Sequence, residues 1–139
     1  MKVKGFDAFI RKLKKLPQNV QDDIKADIQD AADLIVIDAG NAAPVDLGYL
    51  KNSIRNYPRH GGLDVAVEVG AKYSPYVEFG TGTEVIVPDE IKDYAYQFKG
   101  KGDKLINIPA RPFFFPAYFK HRDELLKAMR ETLRRNMRS

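Results

Sequence analysis

Few residues of this chain have the types and spacing that chemistry requires. The two histidines, His60 and His121, have no partner at the spacing of a metal site or a catalytic triad. We therefore interpret both as surface residues, with His60 in a turn and His121 on an exposed helix. The chain has no cysteine, which excludes disulfides, zinc–thiolate sites and thiol nucleophiles and fits assembly in a reducing compartment.

The glycine-rich segments do not form a phosphate loop. GTGT at 80–83 and KGKGDK at 99–104 match neither GxxxxGK[ST] nor GxGxxG. Segment 99–104 predicts a loop, because it has no side chains to bury. Glu78 stands between apolar neighbours, and we interpret it as a structural carboxylate rather than a catalytic acid. We predict no enzymatic activity, no cofactor and no metal; a small hydrolase would need a nucleophile–base pair that is missing.

Helical periodicity dominates the N-terminal third and the C-terminal end. Apolar residues from Val20 to Ala42 recur every three or four positions, which predicts a helix over 18–42 that Pro44 ends. A shorter basic amphipathic helix precedes it, and another, basic on its outer side, contains Leu125 to Met137. Asp46 is expected to cap a short helical turn through Leu50.

Strand patterns fill the middle of the chain. Segment 53–59 and the alternating segment 63–70 flank Gly61–Gly62 and predict a hairpin. Segments 85–87 and 105–108 predict two further short strands, and 89–98 a helix. The predicted fold is a single α+β domain over 1–139. Its antiparallel sheet of about four strands packs on a long N-terminal helix and a C-terminal helix.

Charge is strongly segregated along the sequence. Residues 17–46 carry a balance of −6, whereas residues 1–16 and 111–139 carry +5 each. Such segregation favours contacts between unlike surfaces of neighbouring subunits, although charges on a helix are often simply solvated. The candidate interface residues are Asp23, Asp27 and Asp30 on one side and Arg130, Arg134 and Arg135 on the other. The same acids and bases could instead meet within one chain.

Three motifs carry a resemblance to a known family. They are APVDLGYLKNSI at 43–54, YSPYVEFGTGT at 73–83 and IPARPFFFPAYF at 108–119. In this order they resemble the tail-component family of long-tailed bacteriophages, described as minor tail, neck or tail-completion proteins. Leu47 departs from the family pattern, which usually has threonine there. The family-motif residues that we single out are Pro44, Asp46, Gly48, Leu50, Tyr76, Glu78, Phe79, Gly80, Arg111, Pro112 and Phe113.

Residue chemistry assigns these motif positions mainly structural roles. Gly48 and Gly80 are expected to permit unusual backbone conformations. Phe79 and Phe113 are expected in the core. Glu78 and Arg111 are charges in apolar surroundings, and an ion pair between them would satisfy both.

The resemblance implies a structural virion protein at the head-proximal end of a tail, helping tail completion or head–tail joining. Its implied partners are further copies in a ring and other tail or connector proteins, with possible passing contact with genomic DNA. It implies assembly in the host cytoplasm and a place in the tail or neck of the virion. No apolar run approaches the roughly 20 residues that span a bilayer, so no membrane is expected. The alternative is a small basic nucleic-acid-binding module.

Overall fold

The computed structural model describes residues 6–99 and 105–137, which form six helices, two strands and three short 3-10 turns. The 3-10 turns are His60–Gly62, Asp89–Ile91 and Tyr96–Phe98. The helices and strands are α1 (Phe6–Lys14), α2 (Gln18–Ala42), α3 (Gly48–Asn52), β1 (Ile54–Arg59), β2 (Asp64–Val69), α4 (Ser74–Phe79), α5 (Lys92–Ala95) and α6 (Phe115–Met137).

Helix α2 is the central element and has the predicted bounds. Its 25 residues extend about 37 Å at 1.5 Å per residue. Its apolar stripe is buried, with Ile24 and Ala39 fully covered. The helix ends where Ala43 turns extended, because the ring of Pro44 disfavours helical backbone at the preceding residue.

The predicted hairpin is confirmed, but the expectation of about four strands is wrong. Strands β1 and β2 pair antiparallel from Ile54 with Val69 to Arg59 with Asp64. Outside this pair, the described residues contain only isolated bridges, in which Ile106 pairs with Val85 and with Lys99. Segments 85–87 and 105–108 are each followed by a proline, which lacks the N–H that a longer ladder requires. Residues 100–104 of the predicted loop lie outside the described residues.

The hairpin and α6 pack on different sides of α2. On β1, the Asn56 amide donates to Asp33 of α2 at 2.9 Å. Helix α6 lies antiparallel to α2, since Thr132 contacts Asp27 whereas His121 contacts Asp38. Two groups of apolar side chains result. The smaller group includes Ile24, Ile28, Leu63 and Met129. The larger group includes Leu50, Val77, Ile91, Ile108 and Phe113.

Two local predictions need correction. Asp46 does not cap the turn through Leu50: α3 begins after Leu47 and has no side-chain cap, and Asp46 is exposed. Leu47, which stands where the family usually has threonine, is buried. It therefore stabilises this turn by packing. The predicted helix over 89–98 is broken into two 3-10 turns and the four-residue α5.

Candidate functional site

Glu78 links the second motif to the start of α6. Its Oε2 accepts hydrogen bonds from the backbone N–H groups of Phe113 and Phe114 at 2.9 and 3.0 Å, and its Oε1 accepts one from Phe115 at 3.0 Å. The carboxyl group is buried. Phe115 is the first residue of α6, and Phe113 and Phe114 directly precede it, so these N–H groups have no partner within the helix. A negative charge at this position also interacts favourably with the helix dipole.

The predicted ion pair between Glu78 and Arg111 is therefore wrong. Both carboxylate oxygens of Glu78 already accept backbone hydrogen bonds, and the side chain of Arg111 is exposed. Arg111 contributes its backbone instead, because its N–H donates to the carbonyl oxygen of Val77 at 2.8 Å. The buried charge is satisfied by main-chain donors rather than by a cation.

Gly80 allows the second and third motifs to approach backbone to backbone. Its φ is 70°, and a Cβ there would lie 2.6 Å from the oxygen of Ile108 and 2.7 Å from the nitrogen of Ala110. Next to it, Thr81 donates its N–H to the oxygen of Ile108 and accepts the N–H of Ile108 at Oγ1, both at 3.0 Å. Only glycine fits this position without displacing the neighbouring backbone segment at Ile108 and Ala110.

The first motif is also structural, although not in every predicted way. Pro44 and Leu50 are buried. Ser53 donates to the carbonyl of Leu50 at 2.8 Å and accepts the N–H of Ala71 at 3.1 Å. The expectation for Gly48 is wrong, since its φ is not positive and a Cβ there would meet nothing within 4 Å. Most motif positions thus build one junction that fixes α3, α4 and the start of α6.

The junction displays aromatic side chains instead of burying them all. Phe79 is 65% exposed, so its predicted place in the core is wrong. It is the last residue of the short α4 and lies about 200° around that helix from the buried Val77, so its side chain points outward. The ring of Phe79 lies 5.9 Å from that of Phe115, which lies 6.0 Å from Phe119, and Tyr118 lies 5.4 Å from Phe119. We call these four exposed side chains the aromatic surface.

A groove of about 420 Å³ continues the aromatic surface between β2 and α6. Its floor is the inner side of α2, and its walls are mostly apolar side chains of β2 and α6. The floor residues are Ile28, Ala31, Ala32 and Ile35, and the walls include Val65, Val67, Tyr118, Arg122, Leu126 and Met129. Sequence reasoning missed this groove. The sequence feature that could have indicated the groove is the pair of alanines in the apolar stripe of α2, because larger side chains at these two positions would have filled it.

The candidate charged residues separate into two groups. Asp23 and Asp30 are exposed, and neither contacts a cation among the described residues. Asp27, in contrast, accepts a hydrogen bond from the buried Thr132 at 2.6 Å, and Arg135 donates to the same hydroxyl at 3.2 Å. One acid and one base of the predicted interface are therefore both engaged within the chain, through the hydroxyl of Thr132. Of the other arginines, Arg130 is exposed and Arg134 lies 3.8 Å from Glu131.

His121 is buried, so its predicted exposed position is wrong. Its Nε2 lies 2.5 Å from Asp38 on α2, and its Nδ1 lies 3.1 Å from Glu124 on α6. The imidazole thus lies between two carboxylates, one on each helix. The hydrogen bond from His121, aided by nearby Lys120, holds the pKa of Asp38 below its ordinary value. The cluster stabilises the packing of α6 on α2.

The stability contributed by Asp38 is expected to depend on pH. A carboxyl group whose pKa is lowered by folding stabilises the folded state above its unfolded pKa of 3.8, and this contribution disappears as the pH falls through the folded value. Asp38→Asn should therefore lower the urea midpoint at pH 6, with a difference from the unmodified protein that shrinks at pH 3. Asp23→Asn, on the same helix without a cation partner, is the control. Equal effects of both variants at pH 6 would contradict the assignment.

No group of three or more potential metal-ligating side chains is present in the described ranges 6–99 and 105–137. None of the helices in these ranges is long and apolar enough to cross a membrane. The hydrogen-bonded motif junction thus lies beside an exposed aromatic surface and an apolar groove, which is an arrangement suited to protein–protein contact.

Comparison with known proteins agrees with the motifs. A family model described as "Bacteriophage HK97-gp10, putative tail-component" matches residues 7–80, just over half of the chain. The match includes the first motif and the second through Gly80, and the third motif lies beyond it. Searches of curated proteins and of solved structures found no significant match. On the family match, this chain belongs to the HK97-gp10-like family of bacteriophage tail components and is a structural protein of the virion.

Proposed function

We propose that this protein is a single-domain, non-enzymatic subunit over 1–139 at the head-proximal end of a phage tail. It helps to complete the tail or to join it to the head, as part of a ring that assembles in the host cytoplasm. Membership of a tail-component family supports the structural role. Both ring nitrogens of the buried His121 lie against carboxylates, so this histidine is not placed to activate a nucleophile, which supports a structural role.

The observation that supports a ring is the negative charge of the outer face of α2. Four aspartates are exposed there without a lysine or arginine among them: Asp22, Asp23, Asp30 and Asp33. Cations occupy other surfaces, with exposed Arg11, Lys12, Lys14 and Lys15 at the end of α1 and Arg130 and Arg134 on α6. Unlike surfaces on one subunit favour head-to-tail contacts, which close into rings when the rotation permits.

Charge reversal tests this contact, starting from aspartates that contact no cation among the described residues. Asp23→Lys combined with Asp30→Lys should reduce self-association in sedimentation velocity and reduce tail joining in a phage complementation assay. Each exposed pair contributes under about 1 kcal/mol, so the loss should be largest at low salt. Arg130→Asp with Arg134→Asp should restore part of the association.

The control for this experiment is Asp27→Asn, which removes an acid that bonds to Thr132 within the chain. It should lower stability without a salt-dependent loss of assembly. If the lysine double variant assembles and joins tails normally at low and high salt, the aspartates are merely solvated or face a channel, and the charged contact does not exist.

The alternative, a nucleic-acid-binding module, has the exposed cations of α1 in its favour. The acidic face of α2 opposes it, because it would repel phosphates. Binding of labelled duplex DNA by the isolated subunit, weakening steeply with salt, would favour this alternative over the ring.

A further inference from the structure

We propose that the groove between β2 and α6 receives the outer face of α2 from a second copy of this chain. The proposal rests on the ring proposed above and assigns its contact surface. Each copy would then offer the groove on one side and a docking ridge on the other. We define the ridge as the exposed side chains Asp30, Asp33, Leu34 and Ile37.

Groove and ridge lie on opposite sides of the same helix. At 3.6 residues per turn, each residue advances about 100°, so positions two apart differ by about 200°. Leu34 follows the floor residue Ala32 by two positions, and Ile37 follows the floor residue Ile35 by two. A surface on one side that is complementary to the opposite side makes a heterologous contact, as a closed ring requires.

The apolar parts of the two surfaces complement each other. Ile37 is 55% exposed and Leu34 is 43% exposed on an otherwise acidic face. The groove presents an apolar floor, and Leu126 on its α6 wall is 47% exposed. Docking would remove these aliphatic side chains from water, which stabilises the contact in proportion to the area buried.

The charges complement each other as well. The ridge contains Asp30 and Asp33 and no cation, whereas the rim of the groove contains Arg122. The Arg122 guanidinium lies 4.9 Å from the centre of the Phe119 ring and 3.2 Å from Asp123, and because both partners of this surface ion pair are about half exposed, it can still contact a carboxylate from outside. The acid inside the groove, Asp64, is buried against Arg59 at 2.8 Å and does not repel the ridge. An acidic ridge with an aliphatic centre therefore fits this groove better than a basic or purely polar partner.

Disulfide cross-linking tests the contact without interference, because the chain has no cysteine. The double variant Ile37→Cys with Leu126→Cys places one thiol on the ridge and one on the groove wall. The two positions face opposite sides of one copy, so a disulfide between them forms only between copies. Oxidised tails, purified after complementation with this variant, should give a ladder of dimers and larger multimers on a non-reducing gel.

The control is Ile37→Cys with Tyr57→Cys, because Tyr57 is similarly exposed but lies on β1 away from the groove. It should give several-fold less dimer under the same oxidation. Tails that contain the protein yet show no more cross-linking for the groove variant than for this control overturn the groove contact and leave the ring intact. Absence of the protein from tails would instead overturn the proposed function.

Discussion

Glu78→Gln is expected to lower the free energy of unfolding by about 2 to 4 kcal/mol, since hydrogen bonds to a buried charged group contribute about 1.5–3 kcal/mol each. The carboxylate of Glu78 accepts three backbone N–H groups at the start of α6. A glutamine keeps one oxygen, but its NH₂ group would face an N–H donor and leave it unsatisfied. Guanidinium denaturation followed by circular dichroism measures the loss. Faster amide hydrogen exchange at Phe113, Phe114 and Phe115 would locate it.

Glu68→Gln is the matched control, because Glu68 is exposed on β2 and the substitution is the same. Surface changes of this kind usually alter stability by less than about 0.5 kcal/mol. If Glu78→Gln unfolds at the same denaturant concentration as the control, Glu78 does not stabilise the start of α6, and the structural role assigned to this motif residue is wrong.

Phe113→Ala is expected to cost about 3–5 kcal/mol, the usual range for removing a buried phenylalanine ring. Phe113 is 1% exposed and belongs to the larger core with Leu50, Val77 and Ile108. Because a domain of this size is stable by only about 5–15 kcal/mol, a large share of its free energy of unfolding would be lost. The variant should be poorly soluble or unfold at a much lower temperature, as differential scanning calorimetry would show.

Phe79→Ala provides the comparison, since it removes the same ring from a position that is 65% exposed. It should leave the unfolding temperature nearly unchanged, losing mainly the ring contact with Phe115. A soluble Phe113→Ala protein with an unchanged transition that still builds infectious tails would contradict the assignment of Phe113 to the core.

Local patterns determined the elements whose signals are local. The 18–42 helix follows from apolar residues every three or four positions between two prolines, and the structure has the same bounds. The hairpin follows from period-two alternation beside Gly61–Gly62. In both cases neighbouring residues along the chain contain the whole signal, because the helix and the tight turn depend on short-range backbone geometry. The order of the three motifs was also sufficient to identify the family, which the match over residues 7–80 confirms.

Tertiary structure alone decided what the motif residues contact. From the sequence, Glu78 needed a partner and Arg111 was the available cation. The actual partners are backbone N–H groups at the start of α6, 35 to 37 residues away. Every residue except proline has such a donor, so no side-chain type indicates which N–H groups will be the partners. The same holds for His121, which the antiparallel packing of α6 on α2 brings to Asp38 across 83 residues.

The surfaces proposed for assembly also depend on packing rather than on sequence spacing. The acidic row of α2 could be recognised from its aspartates, but only the position of α6 shows that Asp27 is used inside the chain whereas Asp23 and Asp30 remain exposed. The groove exists because small Ala31 and Ala32 form its floor where β2 and α6 do not meet over α2. A gap between three elements has no pattern in any one of them, since its shape is set by how far apart their packing holds them.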